Sequence, residues 1–297
     1  MSKSFKADSQ TLQQIIEHYK TIQEETSNAN LIFYGKDIDF QVLVYKTSTV
    51  LFQGQKAQEE LNKWYHEETF IDEHVGSDEV GLGDYFGPIV VCSALVKKSD
   101  YDFLESLNVK DSKQLNDESI KKIAPLILEK IKTVTFTLSN KKYNELHDKG
   151  YNLNKIKAYC HNFVLNKIVK DNKYNGLVVI DQFCEEKLYY NYLKDYKTEV
   201  LENIYFTTKA ENKYLAVACA SIVARYTFLN EIENISKEIG KKIILGASSL
   251  VDDLAISIVK EKGFEYLSNF VKTHYKNTQK ILENTTSNIF DFQEKED

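Results

Sequence analysis

Of the 38 basic residues in this 297-residue chain, only one, Arg225, is an arginine. Any surface that grips phosphate must therefore do so with lysine point charges and backbone amides, not with guanidinium forks. The cysteines are four, Cys92, Cys160, Cys184 and Cys219, and none stands in a CxxC spacing. That argues against a disulfide framework and against a zinc site. Cys92 lies in an apolar, strand-like run and Cys219 in a run of small residues, so both read as buried thiols. The opening Met1-Ser2-Lys3-Ser4-Phe5-Lys6 has no apolar stretch of the kind a secretory signal needs, and no run approaches the length of a membrane span. A cytoplasmic protein without a membrane partner is the expectation. No Ser-His-Asp order and no activated-cysteine context is evident, and there is no internal repeat. Prolines number two, and one of them, Pro88, closes the most informative loop of the chain.

That loop is Gly76-Ser77-Asp78-Glu79-Val80-Gly81-Leu82-Gly83-Asp84-Tyr85-Phe86-Gly87-Pro88, followed by the apolar run Ile89–Val96. Two adjacent carboxylates end a short strand-like run. Neighbouring side chains on a strand point to opposite faces, so Asp78 and Glu79 share one centre only if the strand twists or ends there, which the glycines allow. Hard oxygen donors beside exposed backbone amides suit Mg2+ and a phosphate-bearing substrate. A dinucleotide loop is excluded by the spacing and by the strand that follows where a helix should begin.

The length suits two domains and the 42% hydrophobic content suits a real core. Residues 8–26 read as an amphipathic helix with Leu12, Ile15, Ile16, Tyr19 and Ile22 on one face. Strand-like runs follow at Leu31–Tyr34, Phe40–Tyr45 and Thr49–Phe52, then a helix over Gln55–Trp64. His66–Glu73 is polar and acid-rich and reads as a linker. Beyond it come strands at Ile89–Val96, Val134–Leu138, Leu177–Ile180 and Ile204–Thr208. Helices are expected over Asn154–Lys170, Tyr214–Ile239, Val251–Lys262 and Phe264–Ile281. Ala216, Ala218, Ala220, Ser221 and Ala224 would let the long helix pack closely on a sheet. The net charge of −6 is uneven: residues 1–70 sum to −3, residues 71–280 to +1 and residues 281–297 to −4. The organisation read from this is 1–68 as an N-terminal domain, 69–282 as a second domain, and 283–297 as an acidic, frayed tail.

The first loop resembles the opening motif of the type 2 ribonucleases H, the family of ribonuclease HII and ribonuclease HIII. Further stretches match in order: Lys110–Leu115; Tyr151–Asn154 with His161-Asn162; Val179-Ile180-Asp181-Gln182-Phe183; and Thr208-Lys209-Ala210-Glu211-Asn212 running into Ala216–Arg225. The match spans roughly residues 70 to 280, and several ordered motifs are far more specific than one loop. Tyr45–Gly54 is similar to a strand-turn-strand signature of the added N-terminal domain of the ribonuclease HIII branch, which resembles half of a TATA-box-binding protein. Thr273–Thr278 is similar to that branch's C-terminal signature.

The resemblance implies an α/β protein with a ribonuclease-H-like catalytic domain. It implies hydrolysis of the RNA strand of RNA–DNA hybrids by a monomer, leaving 5′-phosphate and 3′-hydroxyl ends. Asp78, Glu79, Asp181 and Glu211 fall on the family's catalytic and metal positions, with Glu211 standing where many members have Asp. Such chemistry uses Mg2+ or Mn2+, two ions with substrate bound, about 4 Å apart. Gly81-Leu82-Gly83 corresponds to the loop that reads Gly-Arg-Gly in ribonuclease HII and contacts a ribose 2′-hydroxyl. Lys113, Lys209 and Lys276 are candidates for phosphate contact, with a solvated lysine as the alternative for each. His161 reads as ordering a helix or loop, and the role of His274 is open. Two rivals are incision at single embedded ribonucleotides, as in ribonuclease HII, and a non-catalytic hybrid-binding protein. Leu82, the added domain and Lys276 speak against the first, the retained carboxylates against the second.

Overall fold

The computed structural model describes residues 2–7, 9–64, 73–109, 115–195, 197 and 199–290. Backbone contacts divide the chain into two units, Met1–Phe70 and Ile71–Asp297. The first contains β1 (Ser2–Lys6), α1 (Ser9–Tyr19), β2 (Leu31–Lys36), β3 (Phe40–Tyr45), β4 (Thr49–Gly54) and α2 (Ala57–Trp64). Its four strands form one antiparallel sheet in the order β1-β4-β3-β2. Alternation sends Phe33, Val42, Val44, Val50 and Phe52 into a core with Ile15, Tyr19 and Leu61 from the helices. Tyr34, Leu43 and Leu51 are only half-buried. The register sets them across from one another on the face away from that core. The sequence reading had no strand at Ser2–Lys6, where a polar edge strand gives little pattern. It also ran the first helix too far: α1 ends at Tyr19 and a 3-10 turn takes Lys20–Ile22.

The second unit contains β5 (Glu73–Val80), β6 (Ile89–Lys97), α3 (Tyr101–Ser106), α4 (Asp117–Lys130), β7 (Lys132–Leu138), α5 (Asn140–Asp148) and α6 (Leu153–Asn172). It continues with β8 (Leu177–Asp181), α7 (Glu186–Tyr192), β9 (Ile204–Thr207), α8 (Leu215–Ile239), α9 (Ser249–Lys262), α10 (Phe264–Ser268) and α11 (Lys276–Phe290). The sheet order is β7-β6-β5-β8-β9. β7, β6 and β5 are antiparallel; β5, β8 and β9 run parallel.

Helices α6 and α8 cover opposite faces, and the pleat of the strands sorts side chains between them. On β6, Val90, Cys92, Ala94 and Val96 join the core built by α8, while Ile89, Val91 and Leu95 join the core built by α6. This is the continuous apolar run expected of a strand buried on both sides. Gly76 on β5 lets α8 in: a Cβ there would stand 2.6 Å from the backbone nitrogen of Val217. Ala216, Ala218, Ala220 and Ala224 are all fully buried. At 25 residues α8 is long and apolar enough to cross a membrane by length and composition, contrary to the expectation that no run reaches that length. In this fold 67% of its apolar window is buried inside the protein, so it is the core helix of the unit.

The single helix expected over Phe264–Ile281 is broken. Between α10 and α11 the chain extends, Val271 bridges Phe86, and the Lys272 amide donates to the Tyr85 carbonyl at 2.9 Å. Backbone groups that a helix would use internally are taken there by the glycine loop. Residues 65–72, most of the expected linker, lie outside the described residues, and Glu73 opens β5. The last helix continues to Phe290, into the segment read as a frayed tail.

Candidate active site

Parallel register builds the heart of the site, where β8 ends at Asp181 while β5 runs on past Asp78 to Val80. Ser77 pairs with Ile180, so the next residues on the two strands, Asp78 and Asp181, come side by side on neighbouring strands, about 4.8 Å apart by ordinary strand spacing. Asp78 pairs with Cys92 across the antiparallel side, which puts it on the α8 face. There it hydrogen-bonds Ser221 of α8. Asp181 follows Val179 by two residues, and Val179 packs on Ala210 and Val217 of the same face. The Ala210 amide donates to Asp181 Oδ1 at 3.1 Å. The next residue, Glu211, sits in a 3-10 turn and is only 3% exposed. Lys209 enters that turn with a left-handed backbone (φ 54°) and an exposed side chain.

Glu79 points the other way. Its carboxylate receives Lys157 Nζ at 2.5 Å and His161 Nε2 at 2.7 Å, both from α6. Ser77 Oγ lies 2.8 Å from His161 Nδ1, so the imidazole is held at both nitrogens. Phe183 stacks on His161 with centroids 5.3 Å apart and carries the Lys157 ammonium 4.1 Å from its ring centre. His161 therefore orders the site through Glu79. Lys157 is not among the residues expected from sequence, and Ser221 is expected only as a small packing residue of the long helix. The signal for Lys157 was a charge inside the apolar stretch Ile156–Cys160, four residues before His161 and thus on the same helix face.

Electrostatics separate the two neighbouring acids. Burial and the adjacent Glu79 charge push the Asp78 carboxyl up to about 7, with Asp181 adding to the rise. Burial also pushes the Glu79 carboxyl upward, but the His161 hydrogen bond and charge together with Lys157 outweigh it and hold it at about 2. The donors are hard carboxylate oxygens with surplus negative charge, a chemistry that fits Mg2+ or Mn2+. Among the described residues, no three His, Cys, Asp or Glu side chains stand gathered round one point as a ready-made metal cluster. The pleat explains this: Asp78 and Glu79 are on opposite faces because β5 stays regular through Val80.

The glycine loop adjoins these acids. Gly81 has φ +93°, and a Cβ on it would fall 2.3 Å from the Pro88 carbonyl. Gly83 has neither constraint, with nothing within 4 Å of a Cβ. The carbonyl of Leu82 accepts from the Tyr275 hydroxyl. The amides of Leu82, Gly83 and Asp84 make no hydrogen bond among the described residues. Lys113 lies outside the described residues. Lys276 is exposed at the start of α11. The sole arginine, half-buried, is engaged within the protein: Arg225 donates to the Leu115 carbonyl at 3.0 Å and pairs with Asp117 at 2.6 Å. His274 stacks on His147, centroids 4.3 Å apart, and its Nε2 is 3.3 Å from the Tyr143 hydroxyl.

The family described as ribonuclease HII matches residues 75–278, and a domain of unknown function matches residues 4–71. Ribonuclease HIII of Phytoplasma mali is 41% identical over 286 residues, 95% of this chain and 99% of the relative. The chain belongs to the ribonuclease HIII family. Ribonuclease HIII of Geobacillus sp. (strain WCH70) is 38% identical over 91% of this chain and 94% of its own length. Among solved structures, Bst-RNase HIII in complex with Mn2+ superposes with a TM-score of 0.71 at 36% identity, covering 96% of this chain and 99% of that one. The ribonuclease HIII likeness thus takes in both units, including the N-terminal one.

Proposed function

We propose that this member of the ribonuclease HIII family hydrolyses the RNA strand of RNA–DNA hybrids endonucleolytically, leaving 5′-phosphate and 3′-hydroxyl ends, with Asp78, Glu79, Asp181 and Glu211 as its metal-holding carboxylates. The observation that carries the site is the Ser77–Ile180 register, which brings Asp78 beside Asp181. Bound Mg2+ or Mn2+ supplies a deprotonated water and stabilises the leaving 3′-oxygen. The Mn2+ complex of Bst-RNase HIII supports that choice of ion. Asp78 and Asp181 offer their oxygens from one face. Glu79 reaches the same strand end from the other face, held ionised by Lys157 and His161. Glu211 closes the α8 side. Ser221 fixes the Asp78 carboxyl.

The free amides of Leu82, Gly83 and Asp84 contact the sugar–phosphate backbone and a ribose 2′-hydroxyl, which separates RNA from DNA. Lys113, Lys209 and Lys276 meet phosphates. The N-terminal unit adds grip on the duplex. The enzyme works as a monomer in the cytoplasm.

Incision at single embedded ribonucleotides is the poorer reading. Leu82 cannot give phosphate a charged hydrogen bond, so affinity is spread over several nucleotides. The test is cleavage mapping in Mg2+ on three labelled duplexes: an all-RNA strand over DNA, four embedded ribonucleotides, and one. Runs should be cut well and one ribonucleotide poorly, and an all-DNA duplex added as a control should not be cut. Comparable kcat/KM on the one-ribonucleotide and all-RNA duplexes would overturn this preference. Metal-dependent cleavage by itself excludes a pure binder.

A further inference from the structure

The loop from Gly81 to Pro88 is held from the interior by a segment far along the chain, and one residue of that segment is unusual. Lys272 is 1% exposed and makes no ion pair among the described residues. Its ammonium donates to two loop carbonyls, Asp84 at 2.8 Å and Gly87 at 2.6 Å. Its amide donates to a third, Tyr85, at 2.9 Å. Asn140 Nδ2 fills the second lone pair of the Gly87 carbonyl at 2.8 Å. Around these, Gly87 N donates to the Phe270 carbonyl and Tyr85 N to the Gly246 carbonyl, each at 2.9 Å. Gly246 N donates to Asp84 Oδ1 at 2.6 Å.

An ammonium taken out of water is costly to keep, and a methionine of similar length would fill the same space without that cost. Burial pulls the lysine pKa down to about 7, with the Asp84 charge working against the fall. What the lysine adds over a hydrocarbon is a tie between two carbonyls three residues apart, which sets the curvature of the loop. In a trans peptide the N–H faces away from the C=O. The Leu82 carbonyl, held by Tyr275, therefore turns the Gly83 amide outward, while the Lys272 ties hold the returning limb from Asp84 to Gly87 that braces the tip, and the amides of Leu82, Gly83 and Asp84 are left free.

We infer that Lys272 is a positioning residue: its buried ammonium cinches the loop so that the free amides of Leu82, Gly83 and Asp84 stand in one fixed array for the backbone of the ribonucleotide strand. The substrate half of this rests on the reading of the loop given above; the cinching half does not. The test uses the full-length protein and the variants Lys272→Met and Lys272→Gln. Amide hydrogen exchange is followed at Tyr85 and Gly87, whose amides are bonded only if the loop is seated, and across β5 and β6 as reference. In Lys272→Met those two amides should exchange at least tenfold faster while the strands keep their protection. Lys272→Gln, which keeps a donor for one carbonyl, should fall between. On an RNA–DNA hybrid, KM should rise several-fold in Lys272→Met with kcat within twofold. Unchanged exchange at Tyr85 and Gly87 overturns the inference whatever the kinetics. Protection lost across β5 and β6 in both variants overturns it too, since the lysine would then hold the core and not the loop. Faster exchange with unchanged KM leaves the cinch standing and refutes the substrate role of the loop.

Discussion

Gly81 and Gly83 are two positions apart and are glycine for different reasons. The fold needs Gly81, whose backbone is left-handed and whose Cβ would strike the Pro88 carbonyl. It does not need Gly83, where a methyl group would meet open space. Gly81→Ala should lower stability by about 1–3 kcal/mol. Gly83→Ala should melt as the parent does yet bind hybrid about tenfold more weakly; unchanged KM would make the loop a plain tight turn. Asp78 carries a second test. A carboxyl raised from 3.8 to about 7 in the folded protein binds its proton more tightly there than in the unfolded chain. Its contribution to stability therefore falls as pH rises through that window, by at most about 4 kcal/mol. Asp78→Asn should melt several degrees above the parent at pH 8 in chelator, with the gap closing near pH 4. The variant should lose Mg2+-dependent cleavage by a thousandfold or more and keep hybrid binding, as should Asp181→Asn in activity. Near-normal turnover by either would dismiss the four-carboxylate assignment.

Helix α8, the longest element, begins without a cap of its own: the Tyr214 side chain makes no capping bond. The cap comes from another element, since the amide of Ala216 donates to His74 Nε2 on β5 at 3.1 Å. That bond needs a neutral ring, and burial brings the His74 pKa down to about 4. A depressed histidine stabilises the fold fully above its unfolded value of about 6.5. The contribution is lost as pH falls toward 4, and amounts to about 3 kcal/mol. In the metal-free protein this loss runs against the gain that Asp78 makes as pH falls, so the stability of His74→Gln, which keeps an acceptor, should rise relative to the parent between pH 6.5 and 4; an unchanged difference would mean that His74 does not set this part of the slope. This cap was illegible in the sequence because donor and acceptor are 142 positions apart. Strands with a strong apolar run were legible, as at Phe40–Tyr45 and Leu177–Asp181, because burial on one or both faces dictates their residues. The break at 269–275 was not, since its cause is the distant loop. Within the site, Asp78 and Asp181 were named from a resemblance; their adjacency needed the strand register. Lys157 and Lys272 carried no motif and Ser221 stood in one only as a small residue, and only tertiary contacts reveal what they hold.

The whole molecule places its proposed chemistry and its added domain in separate units. All four proposed carboxylates and the glycine loop lie in Ile71–Asp297; none lies in Met1–Phe70. The first unit has its own antiparallel sheet and its own core, which includes Ile15, Tyr19, Phe33 and Phe52, so its removal leaves both cores of the second unit intact. A remote surface that touches the duplex equally in the ground state and the transition state changes KM and leaves kcat alone. Deleting residues 1–68 should therefore give a folded enzyme whose KM for hybrids rises about tenfold or more while kcat at saturation stays within about twofold. The loss should shrink at higher salt, because a chain with one arginine grips through lysine charges, and salt screens those of the added unit in the parent too. Circular dichroism and melting establish that the truncated protein is folded before kinetics are read. A folded truncation with the parent's KM at every salt concentration would show that the N-terminal unit does not grip the duplex, and would leave the family's added domain here without the role proposed for it.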